Sequence, residues 1–301
     1  MNEFKLSCTL MGSAFELIVV ANHAAQGDGF LKAGVDEIKR IEELLTEFKP
    51  TSETSRINSF PANEIFTIDS EVHQLLQRCQ KLYNISQGAF DVSMAPLKKL
   101  YSFKRTEEKL PTSNDIHRTL QKIGFNNILL LENHRICLLK KDMKISFAAI
   151  GKGYAADKVQ FLWKQMGVTG GIINASGDIS VLGERADGRC WSTGISNTDR
   201  NQLLHKLQMP SMAVATSGDY EQYFECEGKR YSHTLHPKTG LPVHGIRSVT
   251  VFSPSAELSD ALATAVNVMG VNEGKHFIQQ LPQTWYFILD EKNNIHSNLP
   301  A

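Results

Sequence analysis

The chain has 301 residues, which is long enough to bury a substantial hydrophobic core. Its 32 basic and 32 acidic residues balance, so the surface lacks the excess positive charge that nucleic acids and anionic membranes attract. The five cysteines are scattered and form no CxxC pair, which argues against a disulfide framework or a zinc knuckle.

The first half of the chain predicts a hairpin followed by two long helices. Apolar and polar residues alternate over residues 4–20 around Gly12, as in two paired strands. Apolar residues at helical spacing predict helices over residues 27–48 and 70–86. The charged segment 100–117 predicts an excursion over the surface.

The second half mixes strands and helices without the regular period of βαβ units. The patterns predict a hairpin over residues 127–145, helices over 153–166 and 260–269, and strands over 170–174, 211–217, 249–253 and 284–289. Ser259 is a suitable N-cap for the later helix. We therefore expect an α+β protein of two interlocked halves with a ligand between them, forming one domain over residues 1–301.

Five short blocks in the second half combine small residues with a lone lysine, aspartates and histidines. The blocks are residues 146–157, 174–178, 216–220, 232–240 and 259–264. Small residues let a backbone approach a phosphorylated ligand, and the polar side chains suit a metal. The blocks together predict a site for such a ligand.

Asp260 and Thr264 lie four residues apart on a predicted helix, so both side chains project from one face. A carboxylate and a hydroxyl are oxygen ligands that suit Mg²⁺. The alternative is an aspartate favoured by the helix dipole and a threonine that only packs. Spacing alone leaves both interpretations open.

The segment Gly151-Lys152-Gly153 is predicted to open a helix after a strand. Its glycines and exposed N–H groups suit a phosphate, although the GxxxxGK[ST] P-loop pattern is absent. A simple helix start explains the segment equally well.

Three histidines fall within twelve residues: His233, His236 and His244. A zinc site is one interpretation, but Pro237 and the following Thr-Gly turn argue against a helix that would align the ligands. Asp178 is predicted to support the site from a loop. Asp219 and Tyr220 suit a turn and a core position as well as a functional one.

The order of these blocks resembles the ApbE family, the FAD:protein FMN transferases. Earlier blocks agree with the resemblance, which runs from about residue 11 to residue 270: Met11-Gly-Ser-Ala-Phe15, Ser52-Glu-Thr-Ser-Arg-Ile-Asn58 and Gly88-Ala-Phe-Asp-Val92. It implies an ApbE-like, T-fold-related α+β fold with FAD between the halves. It also implies Mg²⁺-dependent transfer of FMN from FAD to a Thr or Ser hydroxyl of a target flavoprotein, with release of AMP.

The resemblance also implies roles for individual residues. Asp260, Thr264 and the carbonyl of Ala149 would bind the metal, and His233 would be the general base. The FAD-contacting positions would be Met11, Phe48, Ala89, Phe90, Asp91, Ser146, Lys152 and Leu235. Without the resemblance, Phe48 and Phe90 would be interpreted as ordinary core residues.

The chain departs from the family pattern at three positions. Ser146 and His236 stand where the family usually has aspartate, the former in contact with the flavin nucleotide, and Ala263 stands where many relatives have a further carboxylate. These departures leave two alternatives open. One is a flavin-binding or carrier protein without transferase activity, and the other is an FAD pyrophosphatase that yields FMN and AMP.

The family's first block begins at Met11, which leaves no room for a signal peptide before it. We therefore expect the protein to work in the cytoplasm. An exported lipoprotein would require a longer natural N-terminus.

Overall fold

The computed structural model describes residues 1–101, 110–197, 202–209, 211–218, 223–226 and 229–299. Its helices are α1 (Ala24–Leu45), α2 (Glu53–Ser59), α3 (Ser70–Ile85), α4 (Ala95–Lys98), α5 (Ser113–Leu120), α6 (Gly151–Gln165) and α7 (Ala256–Ile278). Short 3₁₀ helices span Val92–Met94 and Phe125–Asn127. None of the described helices combines the length and apolar character that crossing a membrane requires.

The strands form one large sheet and three small ones. They are β1 (Asn2–Leu10), β2 (Ser13–Ala21), β3 (Phe66–Thr67), β4 (Ile128–Leu131), β5 (Arg135–Leu138), β6 (Gly170–Ala175), β7 (Asp178–Gly183), β8 (Trp191–Asn197), β9 (Gln202–Met209), β10 (Ala213–Gly218), β11 (Tyr223–Cys226), β12 (Lys229–Ser232), β13 (Ile246–Ser253), β14 (Trp285–Asp290) and β15 (Ile295–Ser297). The large sheet has the order β1-β2-β6-β7-β10-β13-β14-β15, and its neighbours are all antiparallel.

This antiparallel sheet with helices on one face confirms the prediction of an α+β fold. Helix α1 packs on β1 and β2, α6 on β6 and β7, and α7 on β10 and β13, while α6 contacts both of the other helices. The three helices therefore lie side by side. The opposite face is covered by the β8–β9 hairpin. Val251 belongs to the helix-side core, whereas its neighbour Phe252 belongs to the buried cluster that contains Trp191 of the hairpin.

A smaller layer, made of α3 and the sheet β3-β5-β4, shares its core with the large sheet. Leu75 of α3 and Ile136 of β5 belong to the same buried cluster as Val249 of β13 and Leu262 of α7. The two layers are therefore joined by continuous apolar packing, as the predicted interlocked halves require. That residues 1–301 form one domain stays a prediction.

Strong local patterns were predicted well. The β1–β2 hairpin turns through Met11 and Gly12, whose φ angles of 51° and 70° are the left-handed values of a type I′ turn. The predicted helix over residues 70–86 is α3, with Asp69 as its N-cap. The predicted hairpin within residues 127–145 is β4–β5.

Element boundaries were predicted less well. Helix α1 ends at Leu45, since Thr46 has an extended backbone with ψ 139°, so Phe48 lies outside the helix. The N-cap of α7 is Ser255, whose hydroxyl accepts from Leu258 N at 3.1 Å, and the prediction for Ser259 was wrong. Ser259 is buried inside the helix, with its hydroxyl 2.8 Å from that of Ser253.

Two further predictions are corrected. No strand leads directly into α6, because residues 139–150, between β5 and α6, form turns and irregular backbone. Asp178 is the first residue of β7 rather than a loop residue. Asp219, Tyr220 and residues 102–109 of the predicted surface excursion lie outside the described residues.

Candidate functional site

A cavity of about 530 Å³ lies where the β1–β2 turn, the end of α1 and the N-terminal turns of α6 and α7 converge. This volume is typical of sites for nucleotide-sized ligands. Its wall contains every residue that the sequence predicted for the site: Met11, Phe48, Ala89, Phe90, Asp91, Ser146, Ala149, Lys152, His233, Leu235, Asp260 and Thr264. Tertiary structure thus brings these residues together, and their individual roles stay predictions.

The first turn of α6 holds Lys152 at the cavity wall, where it forms an ion pair with Asp178. The Lys152 Nζ and Asp178 Oδ2 atoms are 2.8 Å apart. Asp178 is only 2% exposed, whereas 26% of the lysine side chain is exposed. The buried Asp178 therefore holds the ammonium group, while part of the lysine side chain is exposed at the cavity wall.

Asp260 lies beside this pair, on the first turns of α7. Its Oδ2 atom accepts a hydrogen bond from Gly153 N at 3.3 Å. Burial raises the pKa of Asp260 well above the usual range, and the negative charge of Asp178 raises it further, against the opposing effect of Lys152. Thr264 faces the same cavity one turn later, which confirms that the two side chains share a helix face.

The glycine at position 153 serves the contact between α6 and α7. A Cβ atom on Gly153 would lie 2.2 Å from the carbonyl oxygen of Ala256. The Gly153 N–H is also directed at Asp260. The absent side chain of Gly153 therefore allows the two helices to pack closely, and the role of the segment in binding a phosphate stays a prediction.

Asp157 joins the same two helices. Its two carboxylate oxygens accept hydrogen bonds from Ala256 N and Glu257 N, each at 2.9 Å. Burial raises the pKa of Asp157 against these hydrogen bonds. The carboxylate of α6 thereby binds the N-terminus of α7 and sets the position of Asp260 relative to Lys152.

The block at residues 52–58 shapes the loop that contains Ala149. Ser52 is the N-cap of α2. At the other end of α2, Asn58 Nδ2 donates to the Ile145 carbonyl at 2.9 Å, and Ile145 N donates to Asn58 Oδ1 at 2.7 Å. This block is structural, since it holds the start of the loop whose Ala149 faces the cavity.

The two candidate flavin-contacting phenylalanines differ in their surroundings. Phe90 is 1% exposed and belongs to the main core, although it also borders the cavity. Phe48 is 87% exposed at the cavity wall, so its interpretation as a core residue is wrong. A large apolar ring with so little protein around it is available for stacking on a ligand.

Asp91 combines a cavity position with a role in the backbone. Its Oδ1 atom accepts from Ser93 N at 2.8 Å and from Ser93 Oγ at 2.7 Å, which caps the 3₁₀ helix that follows. Burial raises the pKa of Asp91 to about 6, although the hydrogen bonds from Ser93 oppose this increase. Burial thus favours the neutral form of this carboxyl group up to a higher pH than is usual for aspartate.

His233 and Leu235 line the cavity, but His236 does not. His236 Nδ1 accepts from Lys238 N at 3.1 Å, and the His236 carbonyl accepts from Gly240 N at 2.8 Å. Burial and the charge of Lys238 lower the pKa of His236, which favours the neutral ring that this acceptor role requires. His236 therefore stabilises the turn after the cavity residues. Such a turn needs an acceptor at this position, which an aspartate would also supply.

A zinc site at the three histidines receives no support from the geometry. Among the described residues, no three His, Cys, Asp or Glu side chains form a group that could hold a metal ion. A metal in this cavity would need oxygen ligands of other kinds, such as the Thr264 hydroxyl and the Ala149 carbonyl beside the Asp260 carboxylate. All three residues lie on the cavity wall.

Sequence reasoning missed three charged residues of the cavity, Glu42, Glu47 and Lys98. Glu47 immediately precedes Phe48, a predicted site residue, and this adjacency was the signal that could have identified it. Lys98 ends the four-residue α4, which is too short to produce a periodic pattern.

With these three residues, the described cavity wall has more acidic than basic side chains. It has five carboxylates and two lysines, namely Glu42, Glu47, Asp91, Asp178 and Asp260 with Lys98 and Lys152. A diphosphate-bearing ligand would meet excess negative charge here unless a cation accompanied it.

Comparison with known proteins is consistent with this geometry. The model of the ApbE family matches residues 11–288. An FAD:protein FMN transferase of Klebsiella pneumoniae is 30% identical over 281 residues, covering 92% of this chain and 86% of the relative.

Two crystal structures also match along nearly the whole chain. The ApbE protein of Thermotoga maritima has a TM-score of 0.90 and 28% identity, with 98% of this chain and 96% of that one covered. The flavinyl transferase ApbE of Pseudomonas stutzeri, in its apo form, has a TM-score of 0.87 and 26% identity, with 99% and 94% covered. The chain therefore belongs to the ApbE family.

Proposed function

We propose that this protein is an FAD:protein FMN transferase, which moves FMN from FAD to a Thr or Ser hydroxyl of a target flavoprotein. The observation that supports this function most directly is the convergence of Lys152, Asp260 and His233 on one nucleotide-sized cavity. The curated relatives that carry the name of this activity match almost the full chain.

In the proposed reaction, the acceptor hydroxyl oxygen forms a bond to the phosphorus of the FMN moiety. The bond from this phosphorus to the bridging oxygen breaks, and AMP leaves with that oxygen. His233 accepts the proton of the attacking hydroxyl. The Lys152 ammonium, anchored by Asp178, offsets negative charge on the phosphate oxygens.

Mg²⁺ is the metal that the donors of this cavity fit. The Asp260 carboxylate, the Thr264 hydroxyl and the Ala149 carbonyl are hard oxygen ligands. The excess of carboxylates in the wall also favours a cation, and a cation would stabilise the ionised form of Asp260. When bound, the ion would neutralise phosphate charge and polarise the phosphorus centre.

The alternative of a flavin carrier rested on three departures from the family pattern, of which two lie away from the cavity wall. His236 stabilises a turn, and Ala263 is 1% exposed within the main core. These two replacements leave the cavity side chains in place. We therefore favour the enzyme over the carrier.

The test is a reaction of the purified protein with FAD, Mg²⁺ and a threonine-containing acceptor domain of the family type. Intact mass of the acceptor and chromatography of the nucleotides are measured together. We expect the acceptor to gain an FMN moiety while AMP is released. FMN and AMP without any gain in acceptor mass would indicate hydrolysis, and bound FAD without products would indicate a carrier.

Substitution of His233 tests the proposed base. His233→Ala should leave FAD binding intact and slow transfer by about 10²–10⁴-fold, the range for a lost general base. His244→Ala is the matched control, because His244 is exposed and lies outside the cavity wall. Equal transfer rates for His233→Ala and the wild type would refute this role.

A further inference from the structure

Glu47 and Ser146 form a hydrogen bond on the cavity wall that no sequence pattern anticipated. Ser146 Oγ donates to Glu47 Oε1 at 3.0 Å, and both residues line the cavity. The serine is 8% exposed, and its own N–H donates to the Val92 carbonyl at 2.8 Å. A buried and fixed hydroxyl therefore orients a half-buried carboxylate.

The carboxylate of Glu47 has capacity for further hydrogen bonds. Two ionised oxygens together accept about four. Within the described residues, the hydrogen bond from Ser146 is the one that Glu47 receives. The remaining acceptor sites are therefore available to a ligand in the cavity.

The bond is not needed to hold the loop between α1 and α2. Thr54 Oγ1 donates to the Leu45 carbonyl at 2.9 Å, and Ser52 Oγ donates to the Thr46 carbonyl. Phe48 N also donates to Thr46 Oγ1 at 3.3 Å. Since these bonds fix the loop independently, a purely structural role for Glu47 would add little.

Charge and position indicate which part of a ligand Glu47 faces. Lys98 lies on the same cavity wall as Glu47, and its positive charge offsets the repulsion that a lone carboxylate would exert on a phosphate. Glu47 also adjoins Phe48, the exposed ring suited to stacking on an aromatic system. A dinucleotide whose aromatic end stacks on Phe48 would bring that end to the part of the wall that holds Glu47.

We propose that Glu47 is a flavin-recognition residue, whose carboxylate accepts a hydrogen bond from an N–H or O–H group of the flavin half of FAD. Ser146 orients it. This inference rests on the proposed function, in that FAD is the ligand of the cavity. It assigns to position 47 the ligand-facing carboxylate that Ser146 itself cannot supply.

The test measures the dissociation constants of FAD, FMN and ADP by titration calorimetry for the wild type and Glu47→Ala. Loss of one hydrogen bond to a charged group should weaken the binding of FAD and FMN by about tenfold or more. The binding of ADP should not change. Glu43→Ala is the matched control, because Glu43 is exposed and pairs with Lys49 outside the cavity.

Each outcome is decisive. If the wild type does not bind FAD, the proposed function fails and this inference fails with it. If the wild type binds FAD and Glu47→Ala binds it equally well, this inference alone is wrong. Weaker ADP binding with unchanged FMN binding would also overturn it, since the carboxylate would then face the adenosine half.

A double-mutant cycle supplies a second measurement, which does not depend on the affinity lost in Glu47→Ala alone. Ser146→Asp in the wild type would place two carboxylates within hydrogen-bond distance, so we expect FAD binding to weaken. In the Glu47→Ala background, the same Ser146→Asp change should restore part of the lost affinity. Equal effects in both backgrounds would show that the positions share no role and would overturn the proposal.

Discussion

Helix α6 separates two charged regions that use their carboxylates in opposite ways. On one side, a surface groove contains Glu71, Tyr154 and Lys158. Glu71 accepts from Arg40 at 2.7 Å, from Lys158 at 2.9 Å and from Tyr154 at 2.5 Å. Although burial raises the pKa of Glu71, these hydrogen bonds hold it at about 2.

On the other side, the cavity contains more carboxylates than cations. Asp178 and Asp260 lie beside the same lysine, Lys152. Burial raises the pKa of Asp260, and it raises that of Asp91 to about 6.

The other carboxylates of the groove also have partners, because Glu257 pairs with Arg78 and Asp157 accepts from Ala256 N. The groove therefore satisfies its charges within the fold, while the cavity keeps charges that a ligand and a cation would satisfy. Substitutions of Glu71 in the groove should change stability and leave activity intact, whereas loss of a charged group in the cavity should change activity, stability or both.

Among the tests of this comparison, the largest expected effect is on catalysis, in Asp260→Ala. Removal of this carboxylate should slow FMN transfer by about 10²–10³-fold, the range for the loss of one electrostatic group that stabilises a transition state. Initial rates from intact acceptor mass measure it. Asp142→Ala is the control, because Asp142 is exposed and forms a surface ion pair with Lys122. A normal rate for Asp260→Ala would remove the distinction between the two regions.

Lys152→Met tests whether the cavity ion pair also supports the fold. The change leaves the buried Asp178 carboxylate without its ammonium partner, and we expect the free energy of unfolding to fall by about 3 kcal/mol in urea denaturation. Adding Asp178→Asn should recover most of this loss, because the buried charge is then removed as well. A double variant no more stable than Lys152→Met would contradict this explanation.

Glu71→Gln tests the groove. Its folded pKa of about 2 lies below the ordinary 4.5, so the stabilisation is fully present above pH 4.5 and is lost as the pH falls towards 2. Allowing for solvent screening, the variant should be less stable by about 2 kcal/mol at pH 7. The difference should shrink in acid. Transfer activity should be unchanged, and a large loss of activity would contradict the structural role of the groove.

Asp91→Asn also replaces a carboxylate with an amide, but here we expect the free energy of unfolding to increase rather than decrease. The folded pKa of about 6 exceeds the ordinary 3.8, so burial of this carboxylate reduces stability progressively as the pH rises from 3.8 to 6. The variant should be more stable by up to about 3 kcal/mol at pH 8 and equal to the wild type below pH 4. Thermal unfolding at both pH values measures this effect, and destabilisation at pH 8 would contradict it.

Much of this protein follows from local sequence patterns. The β1–β2 hairpin, α3 and the β4–β5 hairpin were predicted because alternation, helical periodicity and turn residues act over short distances. The twelve site residues were identified because the blocks of this sequence match those of the family in the same order, so each site position could be assigned. All twelve residues line one cavity.

Other features depend on contacts between segments that are distant in the chain, which no local pattern records. The absent Cβ of Gly153 matters because of Ala256, the role of Asp157 depends on the N-terminus of α7, and Glu47 meets Ser146 from 99 positions away. The exposure of Phe48 likewise depends on where α1 ends. The sequence alone determined which elements form and which blocks contain the site. Only the tertiary structure decided which charges are paired, because pairing and burial are properties of packed neighbours.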